Sequence, residues 1–203
     1  MANGDLFIIS APSGAGKTSL ILSLLDLIPN LELSVSHTTR SIRSGEVDGV
    51  NYHFVTKDYF LHLIDEGQML EYAEVFGNHY GTSEQQVRNL LDAGKDVILE
   101  IDWQGAEQVR RIIPNAISIF ILPPSLEVLR TRLTKRATDN ASVIERRLNA
   151  AKEDISHYIE YDYLVVNDDF KQASYELASI FTAARLRIQK QQQNIGFLTN
   201  LLA

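Results

Sequence analysis

The 203-residue sequence predicts an α/β fold: a parallel sheet covered by helices, with one mostly β insertion and one helical insertion. Three observations predict it. Continuous apolar runs at 6–9, 97–99, 117–122 and 163–166 lack polar alternation, as strands buried on both faces require. Helical stripes separate these runs, and strands alternating with helices imply right-handed crossovers within one sheet. Two segments, at about 36–85 and 125–155, break that rhythm.

The first run leads into Ala11-Pro12-Ser13-Gly14-Ala15-Gly16-Lys17-Thr18, and Leu20, Ile21, Leu24, Leu25 and Ile28 then recur at helical spacing up to Pro29. A strand, this glycine-rich turn and a helix form the context that gives a P-loop its meaning. Gly14 and Gly16 let backbone amides turn inward on phosphate oxygens, with Ser13 and Ala15 between and beside them. The helix N-terminus adds partial positive charge, Lys17 a full one, and the Thr18 hydroxyl can ligate Mg²⁺. The strict pattern begins with glycine, so Ala11 is expected to hold an ordinary backbone conformation.

Residues of about 36–85 are rich in Gly, Tyr, Thr and charge, with short alternating pieces at 50–55 and 69–76. They predict a mostly β lobe projecting from the C-terminal edge of the sheet. The run at 97–99 ends in Glu100 and Asp102, acids expected near the P-loop, where such groups serve Mg²⁺ or its water shell. After 117–122 comes a dense basic stretch with stripes at Val128, Leu129 and Leu133 and at Val143, Ile144, Leu148 and Ile155, read as a helical lid. A last helix is expected from about Tyr175 towards Ile188. The resulting division is a core of 1–35, 86–124 and 156–203, a lobe of 36–85 and a lid of 125–155.

Composition narrows the classes. The chain has no cysteine, so it folds without disulfides or thiolate metal sites, which suits a reducing, cytoplasmic setting. Residues 1–10 lack the basic start of a signal peptide, and no stretch approaches the ~20 apolar residues of a membrane helix. A net charge of −7 argues against a broad nucleic-acid surface yet allows small anionic ligands in a cationic cleft.

Further motifs carry a family resemblance. Val35-Ser36-His37-Thr38-Thr39-Arg40, Arg43, Gly45-Glu46, Tyr52 and Phe54 resemble the GMP-binding signature of guanylate kinases of the bacterial type. Glu71 and Gly77-Asn78-His79-Tyr80-Gly81-Thr82 resemble that family's base-recognition segment, and Leu99 to Gly105, Pro123-Pro124-Ser125 and Val166 to Asp169 its later blocks. The resemblance spans about residues 4–190. It implies a P-loop parallel sheet core with an inserted mostly β GMP-binding lobe and a helical lid, moving the γ-phosphoryl group of ATP onto GMP with Mg²⁺. It also implies roles. Arg40, Arg43, Tyr52 and Tyr80 would hold the GMP phosphate, since arginine's planar fork grips two oxygens at once. Glu71 would accept from guanine N1–H and the 2-amino group as an ionised carboxylate, with Ser36, Thr82 and Asp102 adding contacts. Glu100 stands where the family often has Asp, which leaves open whether it meets metal or substrate. Arg132, Arg136 and Arg147 match lid arginines that neutralise the transferring phosphoryl group. The usual glycine after the second of them is Ala137 here. Asn167 would touch the adenine edge, and Trp103 would sit beside the base pocket. The histidines read as polar or packing residues.

The attacking oxygen of GMP is already ionised, so no protein base is needed. Two rivals stay open. A monophosphate kinase of another base preference would lack the use of Glu71 and Thr82. A scaffold module of this family would carry a degraded phosphate loop, whereas Lys17, Thr18 and the arginines are present. The apolar C-terminal residues Phe197, Leu198, Leu201 and Leu202 could dock on the chain's own core or on a second copy, leaving a homo-oligomer open.

Overall fold

The structure, a computed structural model, describes residues 4–135, 141–192 and 201–202. Five strands form a sheet of order β2-β7-β1-β8-β9, built from β1 (Leu6–Ser10), β2 (Leu31–Leu33), β7 (Asp96–Glu100), β8 (Ile117–Leu122) and β9 (Tyr163–Val166). Every pairing in it is parallel. Helices cover both faces, which is why β1, β7 and β8 read as unbroken apolar runs. On one face α1 (Lys17–Leu27) and α7 (Phe170–Arg185) bury Leu20, Ile21, Leu24, Leu177 and Phe181 against Phe7, Ile9 and Ile119. On the other, α3 (Glu84–Asp92) and α4 (Trp103–Ile112) bury Val87, Ala106 and Val109 against Leu6, Ile8, Val97 and Leu99.

The segment after β2 builds a second sheet of order β4-β3-β6-β5, from β3 (His37–Thr38), β4 (His53–Phe54), β5 (Met69–Val75) and β6 (Asn78–Ser83). Strands β5 and β6 form a hairpin whose two turn residues, Phe76 and Gly77, both have positive φ, as tight two-residue hairpins demand. The mostly β segment also contains a helix, α2 (Lys57–Asp65), N-capped by Thr56. Beyond β8, α5 (Leu126–Lys135) and α6 (Ala141–Ser156) pack through Leu129, Leu133, Leu148 and Ala151.

The last long helix begins at Phe170, five residues before the expected Tyr175. Asp169 supplies the start signal by accepting from the N–H of Gln172. It ends at Arg185, and Ile188–Gln191 form a separate turn, α8. Phe197 and Leu198 lie outside the described residues, while Leu201 and Leu202 are exposed.

Candidate active site

The C-terminal ends of the central strands β1 and β7 face one cleft. Residues 11–16 leave β1 and enter α1 with Gly14 and Gly16 at φ 93° and 94°. Among the described non-glycine residues only Asn30 and Phe76 have positive φ, so Ala11 is ordinary, as expected. Gly16 is required for a second reason: a Cβ there would lie 2.4 Å from Asn167 Nδ2. That amide donates to the carbonyl of Ala15 at 2.7 Å, and Arg132 donates to the same carbonyl at 3.3 Å and to the carbonyl of Asn167 at 3.0 Å. Arg132 and Asn167 thus brace the loop at the Ala15 carbonyl, while the Ala15 N–H closes the turn on the Pro12 carbonyl at 3.1 Å. Lys17 Nζ donates to the carbonyl of Ile101 at 3.2 Å, and Thr18 Oγ1 to Glu100 at 2.7 Å. The Thr18 hydroxyl beside a carboxylate is a set of hard oxygen donors, suited to a small divalent cation.

A cavity of about 150 Å³ opens beside this loop, with Lys17, Ser36, Glu71, Tyr80, Glu100 and Asp102 in its wall. Glu71, one-sided on its strand, is only 3% exposed. Its carboxylate accepts from Thr82 Oγ1 at 2.6 Å, and Ser36 Oγ lies 3.4 Å from the same hydroxyl. Burial pushes the Glu71 carboxyl up to about 7, against the Thr82 hydrogen bond that favours its charge. Near neutral pH the Glu71 carboxyl therefore lies close to the midpoint of its titration. Asp102 caps α4, accepting from the N–H of Gly105 at 2.9 Å.

Arg40, Arg43, Tyr52 and Tyr80 gather at the mouth. Arg40 makes a two-pronged pair with Glu46 at 2.7 and 3.0 Å, which raises its pKa, and its guanidinium lies 5.4 Å from the Tyr52 ring centroid. The N–H of Arg43 also donates to Glu46, at 2.8 Å. Tyr52 meets Tyr80 edge-on, and burial raises its hydroxyl to about 12. A larger cleft of about 430 Å³ connects the P-loop, Arg43 and Tyr80 with α6.

Comparison with known proteins decides what this geometry belongs to. The guanylate kinase family model matches residues 3–184. The chain is 60% identical over 192 residues to a guanylate kinase of Hahella chejuensis, covering 95% of this chain and 92% of that protein. It is 55% identical over 204 residues to one of Vibrio cholerae, covering 100% and 99%. The chain belongs to the guanylate kinase family. A crystal structure of guanylate kinase from Anaplasma phagocytophilum superposes with a TM-score of 0.78 at 35% identity, covering 92% of this chain and 89% of that one.

Arg136 and Ala137 lie outside the described residues. Arg147 is in α6 on the wall of the larger cleft, on one helix face with Ala150 and Asp154. Arg130, by contrast, pairs with Glu145 and ties α5 to α6. Trp103 lines the larger cleft and not the smaller cavity. It stacks on His157, just beyond α6, at 3.7 Å and 7°. Sequence reasoning missed that pairing, because the 53 intervening positions carry no signal of it. It also missed Asp154, whose carboxyl is raised to about 6 by burial and by Asp102.

Proposed function

We propose that this guanylate kinase uses Mg²⁺ as its divalent cation and works in the cytoplasm. Its reaction is transfer of the γ-phosphoryl group of ATP to GMP, giving ADP and GDP. One observation carries the site reading: a P-loop lysine and a buried carboxyl, Lys17 and Glu71, share the wall of one cavity. A γ-phosphate of ATP held at Lys17 and a GMP whose base is held at Glu71 would then meet in one cleft.

In this reading residues 13–18 hold the β- and γ-phosphates of ATP, Lys17 as a fixed charge. Mg²⁺, which takes oxygen ligands, suits Thr18 with Glu100 or Asp102 through water, and when bound it neutralises charge on the phosphates. Glu71, Ser36, Thr82 and Asp102 read guanine, and Arg40, Arg43, Tyr52 and Tyr80 take the GMP phosphate. The Arg40 guanidinium would be shared between Glu46 and that phosphate, so Glu46 holds its fork in place before substrate arrives. Asn167 and Arg132 support the loop on which ATP sits, with Asn167 beside the adenine edge. Of the three arginines the resemblance assigns to the transferring group, Arg136 and Arg147 approach it, while Arg132, whose guanidinium is bonded to the Ala15 and Asn167 carbonyls, would act through the loop instead. The attacking oxygen is already ionised, so alignment, charge neutralisation and exclusion of water carry the catalysis.

A coupled ADP assay with GMP, AMP and dTMP, on wild type and Lys17→Met, tests the reading. GMP should be favoured by roughly 10⁴-fold, as expected of a site whose polar groups a wrong base leaves unpaired. Lys17→Met should remove turnover while circular dichroism stays native. A folded Lys17→Met enzyme with near-normal rate would exclude the phosphate-loop assignment.

A further inference from the structure

Strand β5 is an edge strand, paired only with β6, and its register shifts between Met69 and Glu71. Such irregularities re-aim a side chain and loosen the local ladder. Here Leu70 and Glu71 are buried in succession, one in the core and one in the cavity. A strand edge next to a bulge needs outside support to hold one geometry. Gln108 of α4 supplies it. The N–H of Tyr72 donates to Gln108 Oε1 at 3.1 Å, and Gln108 Nε2 donates to the carbonyl of Tyr72 at 2.7 Å. One side-chain amide thus completes the strand edge as a neighbouring strand would, directly after Glu71.

One turn earlier on α4 is Gly105. A Cβ there would come 2.3 Å from Glu71 Oε2 and 3.1 Å from its carboxyl carbon. Residues three apart share a helix face, so a missing side chain and a two-bond clamp act on one short stretch of β5. A carboxyl that must meet two adjacent donors tolerates only a fraction of an ångström of displacement.

We propose that Gln108 and Gly105 are positioning residues for base recognition. Gln108 fixes the bulged edge of β5 against α4, and Gly105 leaves the space in which the Glu71 carboxyl sits. The inference rests on Glu71 as the guanine reader.

Gln108→Met keeps the length and removes both hydrogen bonds to β5, together with the one Gln108 Nε2 donates to the Gln104 carbonyl within α4. It should raise KM for GMP about tenfold, the equivalent of one hydrogen bond's net contribution. The KM for ATP should stay within about twofold, and the preference for GMP over AMP should narrow. Gly105→Ala should do the same more strongly; should it fail to fold, Gln108→Met alone decides. A double-mutant cycle with Glu71→Gln separates positioning from plain stability. In the Glu71→Gln background, Gln108→Met should change KM for GMP by less than about twofold, since the group it positions no longer reads the base. An unchanged KM in the single variant, an equal rise in both KM values, or a full effect in the double variant would overturn the proposal. If Glu71→Gln itself keeps the full preference for GMP, the base-reading assignment falls, whatever Gln108 does.

Discussion

Burial strips hydration from the Glu71 carboxylate, and one hydroxyl from Thr82 replaces only part of it. The group is held at about 7 in the folded protein against its ordinary 4.5. A carboxyl raised on folding contributes stability that is fully present below about 4.5 and is lost as pH rises through 7. Asp154, raised from 3.8 to about 6, acts in the same direction over a lower window. The melting temperature of the empty enzyme should therefore fall between pH 4.5 and 8, and Glu71→Gln should flatten the upper part of that fall. On the proposal that Glu71 reads guanine, the base needs the ionised form, so GMP binding should release a proton and tighten as pH rises to 7. Below 7 the contribution is about tenfold per pH unit, the ratio of the two forms. GMP's own phosphate titrates near pH 6, so the diagnostic quantity is the difference in slope between wild type and Glu71→Gln. Equal slopes would show that Glu71 does not change charge with the substrate.

Helix starts explain both what the sequence disclosed and what it concealed. The P-loop was legible from its motif, α1 from its helical period, and β1, β7 and β8 from unbroken apolar runs. The run at 163–166 does form a strand, but at the sheet edge with only Val165 buried, so the expectation of burial on both faces fails there. Helices α2, α3 and α4 were not legible, although Thr56, Ser83 and Asp102 cap them by accepting from a backbone N–H. Helix α3 has a single buried residue, Val87, and α4 buries Gly105, Ala106 and Val109, so neither presents a stripe of large apolar side chains. At α4 the cap is also a site residue, and the two duties of Asp102 can be separated. Asp102→Asn keeps an oxygen for the N–H of Gly105 and should hold stability within about 0.5 kcal/mol, whereas Asp102→Ala should lose about 1 kcal/mol. Both should weaken GMP, since the ionised acceptor is gone in each. Urea unfolding beside KM for GMP makes the comparison. An Asn variant with wild-type affinity would leave Asp102 a cap and nothing more.

At the scale of the molecule the cleft has three walls: the strand ends with the P-loop, the second sheet, and α6. Trp103 stands where two of them meet, as the first residue of α4 and stacked on His157 at the foot of α6. The single tryptophan is thus placed to report the seat of α6 more than the cavity at Glu71. Along α6, Ala150 and Arg147 follow from Asp154 on the cleft-facing side, so a tilt about the stacked end carries Arg147 towards the phosphates. Closure over both nucleotides should change Trp103 emission more than GMP alone does, as a stacked indole is sensitive to the ring on its face. GMP with a non-hydrolysable ATP analogue is the probe. Replacing His157 with Ala should alter the emission of the empty enzyme and reduce that joint response. Arg147→Ala should leave the resting emission near wild type yet blunt the response, and lower kcat by roughly 10²-fold with KM for GMP changed less than about threefold. That split follows because a contact formed on closure stabilises the transition state and not the first encounter. If Arg147→Ala instead raises KM with kcat intact, the arginine binds substrate in the open cleft and α6 needs no movement to bring it there.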